Sequence, residues 1–316
     1  MSVSREYRPG GTKSGASGRE PLPGSAGVSL PTHGKPKGRG AVAVGVLRAT
    51  FQHFSGVGPV TEAELWQAGL RDWQELTVST PAFVLGKAAR ARLAHEVVAS
   101  ERALAERDAG WFGRRLPVRE HWRLYPEFRK ETAFLDIETT GLSPYEGIVT
   151  VVGVHGAGGM RSFVAGEDLE ELPAYLRRFK VLVTFNGSRF DVPFLEVAFP
   201  QLVVPSIHID LRFVLYRLGH AGGLKRIEER LGIGDRAGVE GIAGPDAVRL
   251  WQEYRRGSAS ALDRLVRYNR ADTVNLEPLL DLAVTELEHR HLVGPATMRF
   301  PAQPAAARVP GHLPTA

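Results

Sequence analysis

Asp136 and Glu138 lie two residues apart in TAFLDIETTGL, residues 132–142, a run that is otherwise apolar or turn-forming. Ala133, Phe134, Leu135 and Ile137 favour a buried strand, and Thr139, Thr140 and Gly141 end it. Side chains on a strand alternate faces, so the two carboxylates point the same way. Such a pair repels itself and costs several kcal/mol, roughly, to desolvate unless a cation sits between its members. One chemistry that fits is a hard divalent ion such as Mg²⁺, which takes carboxylate, water and phosphate oxygens. The plainer alternative is a strand end where both acids meet solvent. Two later segments add acids. VLVTFNGSRFDVPFL sets Asn186 at a strand end and Asp191 at or near the head of the next helix. LDRLVRYNRADTVNLEPLL sets Tyr268 and Asp272 four residues apart, hence on one helix face. Taken singly, Asp191 reads as a helix N-cap and Asp272 as a solvated helix residue.

The elements that must hold these residues follow from the pattern. Further strands are predicted at 148–155, 160–165, 181–185 and 206–210, with a helix over 168–179 and another beginning near Asp191. Everything after Leu211 reads as helix: LRFVLYRLG, LKRIEERLG, PDAVRLWQEYRR and one long pattern from Ser258 to about Leu287. Three antiparallel-capable strands followed by strands alternating with helices imply an α/β fold, a mixed sheet with helices on its faces. Upstream, residues 43–117 read as a helical region: a short helix from Val44, a Gly56-Val57-Gly58 turn, a helix opened by a Thr61/Glu64 capping box, and a connecting helix from Leu85 to about Asp108. The turn resembles the hairpin of a helix-hairpin-helix module, which would aim the N–H groups around Gly56 and Gly58 at a phosphate; a tight turn without ligand is the alternative. Trp122, Tyr125 and Phe128 read as packing anchors.

The three acidic segments together resemble the three motifs of the DEDD superfamily of 3′→5′ exonucleases, which share a ribonuclease-H-like fold. Asp136 and Glu138 match the first motif, Asn186, Phe190 and Asp191 the second, and Tyr268 and Asp272 the third, with tyrosine marking the DEDDy branch. The resemblance covers roughly 122–287 and is nearest in style to the prokaryotic YprB-type proteins, through GGLKRIEERLGI, DAVRLWQEYRRG and YNRADTVNLEPLL. It implies a five-stranded catalytic domain at about 118–290 that hydrolyses phosphodiesters at single-stranded 3′ ends of DNA or RNA with two divalent ions, Mg²⁺ or Mn²⁺. By that resemblance Asp136, Glu138, Asp191 and Asp272 hold metal and Tyr268 orients the attacking water. Thr139, Thr140, Leu142, Asn186 and Arg189 would contact the terminal nucleotide. A different class is a non-catalytic nucleic-acid-binding adaptor that keeps the fold. An aspartyl phosphotransferase fits less well, because Glu138 departs from its nucleophile loop and the Tyr268–Asp272 pair would have no purpose.

Other candidates have ordinary explanations. His208 and Asp210, in HID, read as a structural hydrogen-bonding pair rather than a metal pair. Lys225 and Arg226 read as the solvated face of a helix, and Glu277 and Asp281 as surface acids.

The bulk composition narrows the classes. With 43% hydrophobic and 24% charged residues among 316, the chain is an ordinary globular protein of one or two domains. It has no cysteine, which excludes disulfides, thiolate zinc sites and a cysteine nucleophile. Seven basic against two acidic residues between Met1 and Gly40 account for the whole net charge of +5. That tail, residues 1–42, and a Pro- and Ala-rich end, 291–316, are expected to be disordered, and the basic one could attract a polyanion. Without a signal-peptide core or a membrane-length apolar run, the expected location is the cytoplasm and no membrane partner is expected.

Overall fold

The computed structural model describes residues 45–79 and 87–293. The expected basic tail, most of the expected C-terminal tail and the expected helix start at Leu85 lie outside them.

Five segments form one sheet: β1 Thr132–Thr139, β2 Val149–Gly156, β3 Gly159–Val164, β4 Val181–Thr184 and β5 Ile207–Asp210. Their order is β3-β2-β1-β4-β5, with β1–β2 and β2–β3 antiparallel and β1–β4 and β4–β5 parallel. The acidic strand is therefore the central one. Alternation divides its side chains. Ala133, Leu135 and Ile137 join a core with Leu172, Leu176, Phe194 and Leu195, from α6 Leu172–Leu176 and α7 Asp191–Ala198. Phe134 faces the opposite layer and packs with Phe128 and Leu276, while Asp136 and Glu138 emerge further along that second face.

Before the sheet come α1 Pro59–Gln67, α2 Trp73–Ser79, α3 Lys87–Ala105, α4 Ala109–Gly113 and α5 Tyr125–Phe128. After β5 come α8 Leu211–Arg217, α9 Leu224–Leu231, α10 Gly244–Arg255, α11 Ala259–Val274 and α12 Leu276–Val293. Phe51, Leu65, Trp73, Phe112, Trp122 and Tyr125 share one core with Phe134, Val183, Leu211 and Leu280, so the N-terminal helices close over the sheet. Buried charge links the same parts: Glu62 on α1 accepts from the backbone N–H groups of Phe51 and Gln52 and from Arg123 Nη1 at 2.8 Å, with both charged side chains 1% exposed.

Four local expectations are corrected. Residues 46–49 form turns rather than a helix. Helix α1 opens at Pro59 behind Gly58 rather than at a Thr61 cap, because proline at the first helical position presets φ and needs no N–H partner. The predicted helix 168–179 is a 3₁₀ turn, Leu169–Glu171, followed by only five helical residues. The single long C-terminal helix is two, broken at Asn275, whose side chain bonds Glu228 and the Asp235 N–H instead of facing solvent.

Candidate active site

The register of β1 explains how the site is assembled. Asp136 is paired with Gly153 on β2. A Cβ at 153 would fall 2.3 Å from Thr273 Oγ1 and 2.4 Å from Asn269 Oδ1, so glycine there lets α11 lie directly on the sheet. That approach brings the one-turn spacing of Tyr268 and Asp272 over the acidic strand. Ligand oxygens of Asp136, Glu138 and Asp272 come within 4.8 Å of one another. Asn269, fully buried, donates from Nδ2 to the Asp136 carbonyl at 3.1 Å and to Asp136 Oδ2 at 3.0 Å. This residue was passed over in the sequence because it stands inside the tyrosine motif without being one of its defining positions.

Asp191 is the first residue of α7 and is buried. The turn before it is held tightly. Asn186 is in the left-handed region at φ 67°. Asp210 accepts from the Asn186 N–H at 2.8 Å, the Ser188 N–H at 3.1 Å and the Ser188 hydroxyl at 2.5 Å. Arg212 Nη1 donates to the Asn186 side-chain oxygen at 2.6 Å. The His208–Asp210 pair is thus structural: His208 bonds Thr184 at 2.8 Å and Asp210 fixes the turn.

A cavity of about 410 Å³ opens on these groups, lined by Asp136, Glu138, Asp191, Tyr268 and Asp272 together with Thr139, Leu142, Phe185, Asn186, Phe190 and Pro245. Leu142 stands 91% exposed at its rim. The Thr140 hydroxyl closes the loop neck by accepting from the Ile148 N–H at 3.0 Å. Arg189 lies over the Phe213 ring, 5.5 Å from its centroid, and is not part of the cavity wall. Gly56, at φ 83°, and Gly58 form the turn ahead of α1.

Electrostatics make the cluster receptive to a cation. Burial, and after it the neighbouring Asp272, pushes Asp136 and Glu138 well above the usual carboxylate range. Burial raises Asp191 to about 7, against the pull of backbone N–H groups. Burial and the adjacent carboxylates likewise raise the Tyr268 hydroxyl. Hard oxygen donors that cannot all ionise unaided are the donor set a divalent ion satisfies. Two protein cations border the cluster. Lys225 on α9 donates to Tyr268 Oη at 3.0 Å and also to the Ile242 carbonyl, so the reading of it as a solvated helix residue is corrected; Arg226 is exposed as expected. The signal for Lys225 was only its place one residue into a helix. Glu277 and Asp281 are not free surface acids either, since they clamp Arg129, and Asp281 also takes the Tyr125 hydroxyl.

A strand order of 3-2-1-4-5 with acids on the central strand and on a helix packed across it is the arrangement of a ribonuclease-H-like fold. A family model described as RNase_H_2, of the RNase_H superfamily, matches residues 133–284. Among solved structures, the chain is similar to the family B DNA polymerase of Pyrobaculum calidifontis at 19% identity and TM-score 0.39, over 50% of this chain and 24% of that one. The chain thus spans about a quarter of that polymerase. It is also similar to Brucella melitensis NrnC with bound Mg²⁺ at 22% identity and TM-score 0.36, over 52% and 77%. For the Aedes aegypti Nibbler EXO domain the values are 12% and 0.30, over 55% and 84%. No curated protein matches the sequence. Among the described residues no helix is long and apolar enough to cross a membrane.

Proposed function

We propose that this protein is a cytoplasmic DEDDy-type 3′→5′ exonuclease that shortens single-stranded DNA or RNA ends. The observation that carries the reading is the convergence of Asp136, Glu138 and Asp272 within 4.8 Å in the same cavity as Asp191 and Tyr268. Two divalent ions, Mg²⁺ or Mn²⁺, held by the four carboxylates, would compensate charge at phosphorus and favour a nucleophilic water. The chain's own groups do the rest. Asn269 holds Asp136 in place. The raised Tyr268 hydroxyl stays protonated across the physiological range, so it orients water as a hydrogen-bonding group rather than as a base. Lys225 keeps that hydroxyl in register. Leu142, Phe185 and Phe190 offer apolar surface for the terminal base and sugar, with Thr139 and Asn186 beside them in the cavity wall; Thr140 and Arg189 would meet the substrate from outside that wall.

In this reading residues 118–290 carry the chemistry, and the turn at Gly56 and Gly58 adds a sequence-independent phosphate contact. The test uses 5′-labelled single-stranded DNA and RNA with Mg²⁺, Mn²⁺ or chelator, beside Asp136→Ala. A metal-dependent ladder shortening from the 3′ end and lost in the variant is expected. Binding without shortening of either nucleic acid would move the assignment to an adaptor.

A further inference from the structure

Between α9 and α10 the chain runs GIGDRAGVEGIA, residues 232–243, and Gly232, Gly234, Gly238 and Gly241 all have positive φ. A segment so rich in left-handed glycines follows a path that side-chain-bearing residues would resist. Its course sets one charged residue, Arg236, against the catalytic cluster. Arg236 Nη1 lies 2.5 Å from Asp272 Oδ1 as a charge contact rather than an aligned hydrogen bond.

The guanidinium is held from behind. Its Nε donates to Glu228 Oε2 at 2.5 Å, and Glu228 is buried on α9. Glu228 Oε1 accepts from Asn275 Nδ2 at 3.1 Å. Asn275 Oδ1 in turn accepts from the Asp235 N–H at 3.1 Å, next to Arg236 itself. Gly234, at φ 101°, is part of the device: a Cβ there would fall 2.6 Å from Asn275 Nδ2. The chain of contacts therefore closes on itself, from Asp272 through Arg236 and Glu228 to Asn275, three residues beyond Asp272 at the end of α11.

We propose that Arg236 is the positioning residue for Asp272. By occupying one carboxylate oxygen it leaves the other turned toward Asp136 and Glu138 for a divalent ion. The inference rests on the metal-dependent reading of the site. A competing role is that Arg236 stands in the ion's place and must be displaced. The buried Glu228 anchor argues against it, since a guanidinium fixed from behind has no route outward that does not strand Glu228 uncompensated. Groups behind a metal ligand that fix its orientation typically change metal affinity by about 10–100-fold when removed.

The experiment is calorimetric titration of Mn²⁺ into the wild-type chain, Asp136→Ala, Arg236→Gln and Arg236→Lys, with kcat and KM measured on a single-stranded oligonucleotide. Circular dichroism checks folding of each. The expected result is Mn²⁺ binding weakened about 10- to 100-fold in Arg236→Gln, with partial recovery in Arg236→Lys and a loss in kcat rather than in KM. Unchanged Mn²⁺ affinity in a folded Arg236→Gln overturns the proposal, and tighter binding there assigns Arg236 the competing role. If Arg236→Gln fails to fold, Arg236→Lys decides: it keeps the charge but loses the fork, so wild-type affinity and kcat in it overturn the proposal. A wild type that binds Mn²⁺ and loses it in Asp136→Ala keeps the metal-site reading whatever the arginine variants do. A wild type that binds none overturns both.

Discussion

Removing divalent ions and raising the pH should destabilise the protein through its own carboxylates, and Asp191→Asn should relieve part of that. Asp191 is pushed up to about 7 by burial, and Asp136 and Glu138 are also raised. In the unfolded chain these groups return to ordinary values near 4. Between those limits the folded state holds protons that the unfolded state has released. The stabilisation is therefore fully present below about pH 4 and is lost as pH climbs through the folded value near 7. For Asp191 alone the span amounts to about 4 kcal/mol as an upper bound. Buried His53 and His291, pushed down to about 3 and about 4, contribute the opposite slope over part of the same range. The contrast with Asp191→Asn cancels them. The assay is urea unfolding with chelator present at several pH values from 5 to 7.5. Asp191→Asn should gain on the wild type by about 2–3 kcal/mol across that window, the part of the span that lies above pH 5. Saturating Mn²⁺ should restore the wild type alone, by about 3 kcal/mol at a hundredfold excess over the dissociation constant. A wild type and variant that keep a constant difference across the window would refute the electrostatic account.

Three further outcomes follow from geometry. Gly153→Ala drives a methyl into Thr273 and Asn269, so α11 must withdraw by about 1 Å; this should cost about 1–3 kcal/mol in urea unfolding and about 100-fold in kcat. Unchanged kcat despite lower stability would separate the helix position from the chemistry. Lys225→Met removes the partner of the Tyr268 hydroxyl and should lower kcat about tenfold with little change in KM, on the scale of one lost charge-assisted hydrogen bond; an effect confined to KM would make Lys225 a substrate-binding group instead. Glu62→Ala leaves Arg123 buried with Glu120 as its one acidic partner among the described residues and should destabilise by about 3–5 kcal/mol by urea titration, and a loss under 1 kcal/mol would show that water reaches the pair.

The carboxylates were legible because their signals are local. Period two put Asp136 and Glu138 on one face, and a spacing of four did the same for Tyr268 and Asp272. The fold class was legible for the same reason, since most strands are short apolar runs with β-branched residues, as in VTVVGVHG and VLVT. What escaped is everything that depends on another segment's position. Asn269, Lys225 and Arg236 are polar residues in helices or a loop, where solvent is the default partner, and only the docking of α11 and α9 gives them carboxylates or a hydroxyl to meet. Gly153 carries no local signal of its role, yet its missing side chain sets the distance between the sheet and α11. The break at Asn275 was hidden because helical periodicity continues across it. The competing bonds to Glu228 and Asp235 come from residues about forty or more positions away.

The two protein cations bear on how such a site tolerates itself and then attracts its substrate. Four carboxylates, Asp136, Glu138, Asp191 and Asp272, meet Lys225 and Arg236, which leaves a formal deficit of two charges when all are ionised. Burial and, after it, that repulsion raise Asp136 and Glu138, and a single divalent ion would cancel the deficit. On the proposed reading a second ion turns the same cavity formally positive, so the charge that draws in a phosphodiester exists only once the site is loaded. Arg236 and Lys225 contact different oxygens, one on Asp272 and one on Tyr268, at opposite ends of a single turn of α11. They lower the repulsion among the acids while leaving the faces of Asp136 and Glu138 open to the cavity. A site built from carboxylates alone would hold its ions more tightly but would need them in order to fold. Here Lys225 and Arg236 offset half of the formal negative charge before any ion arrives.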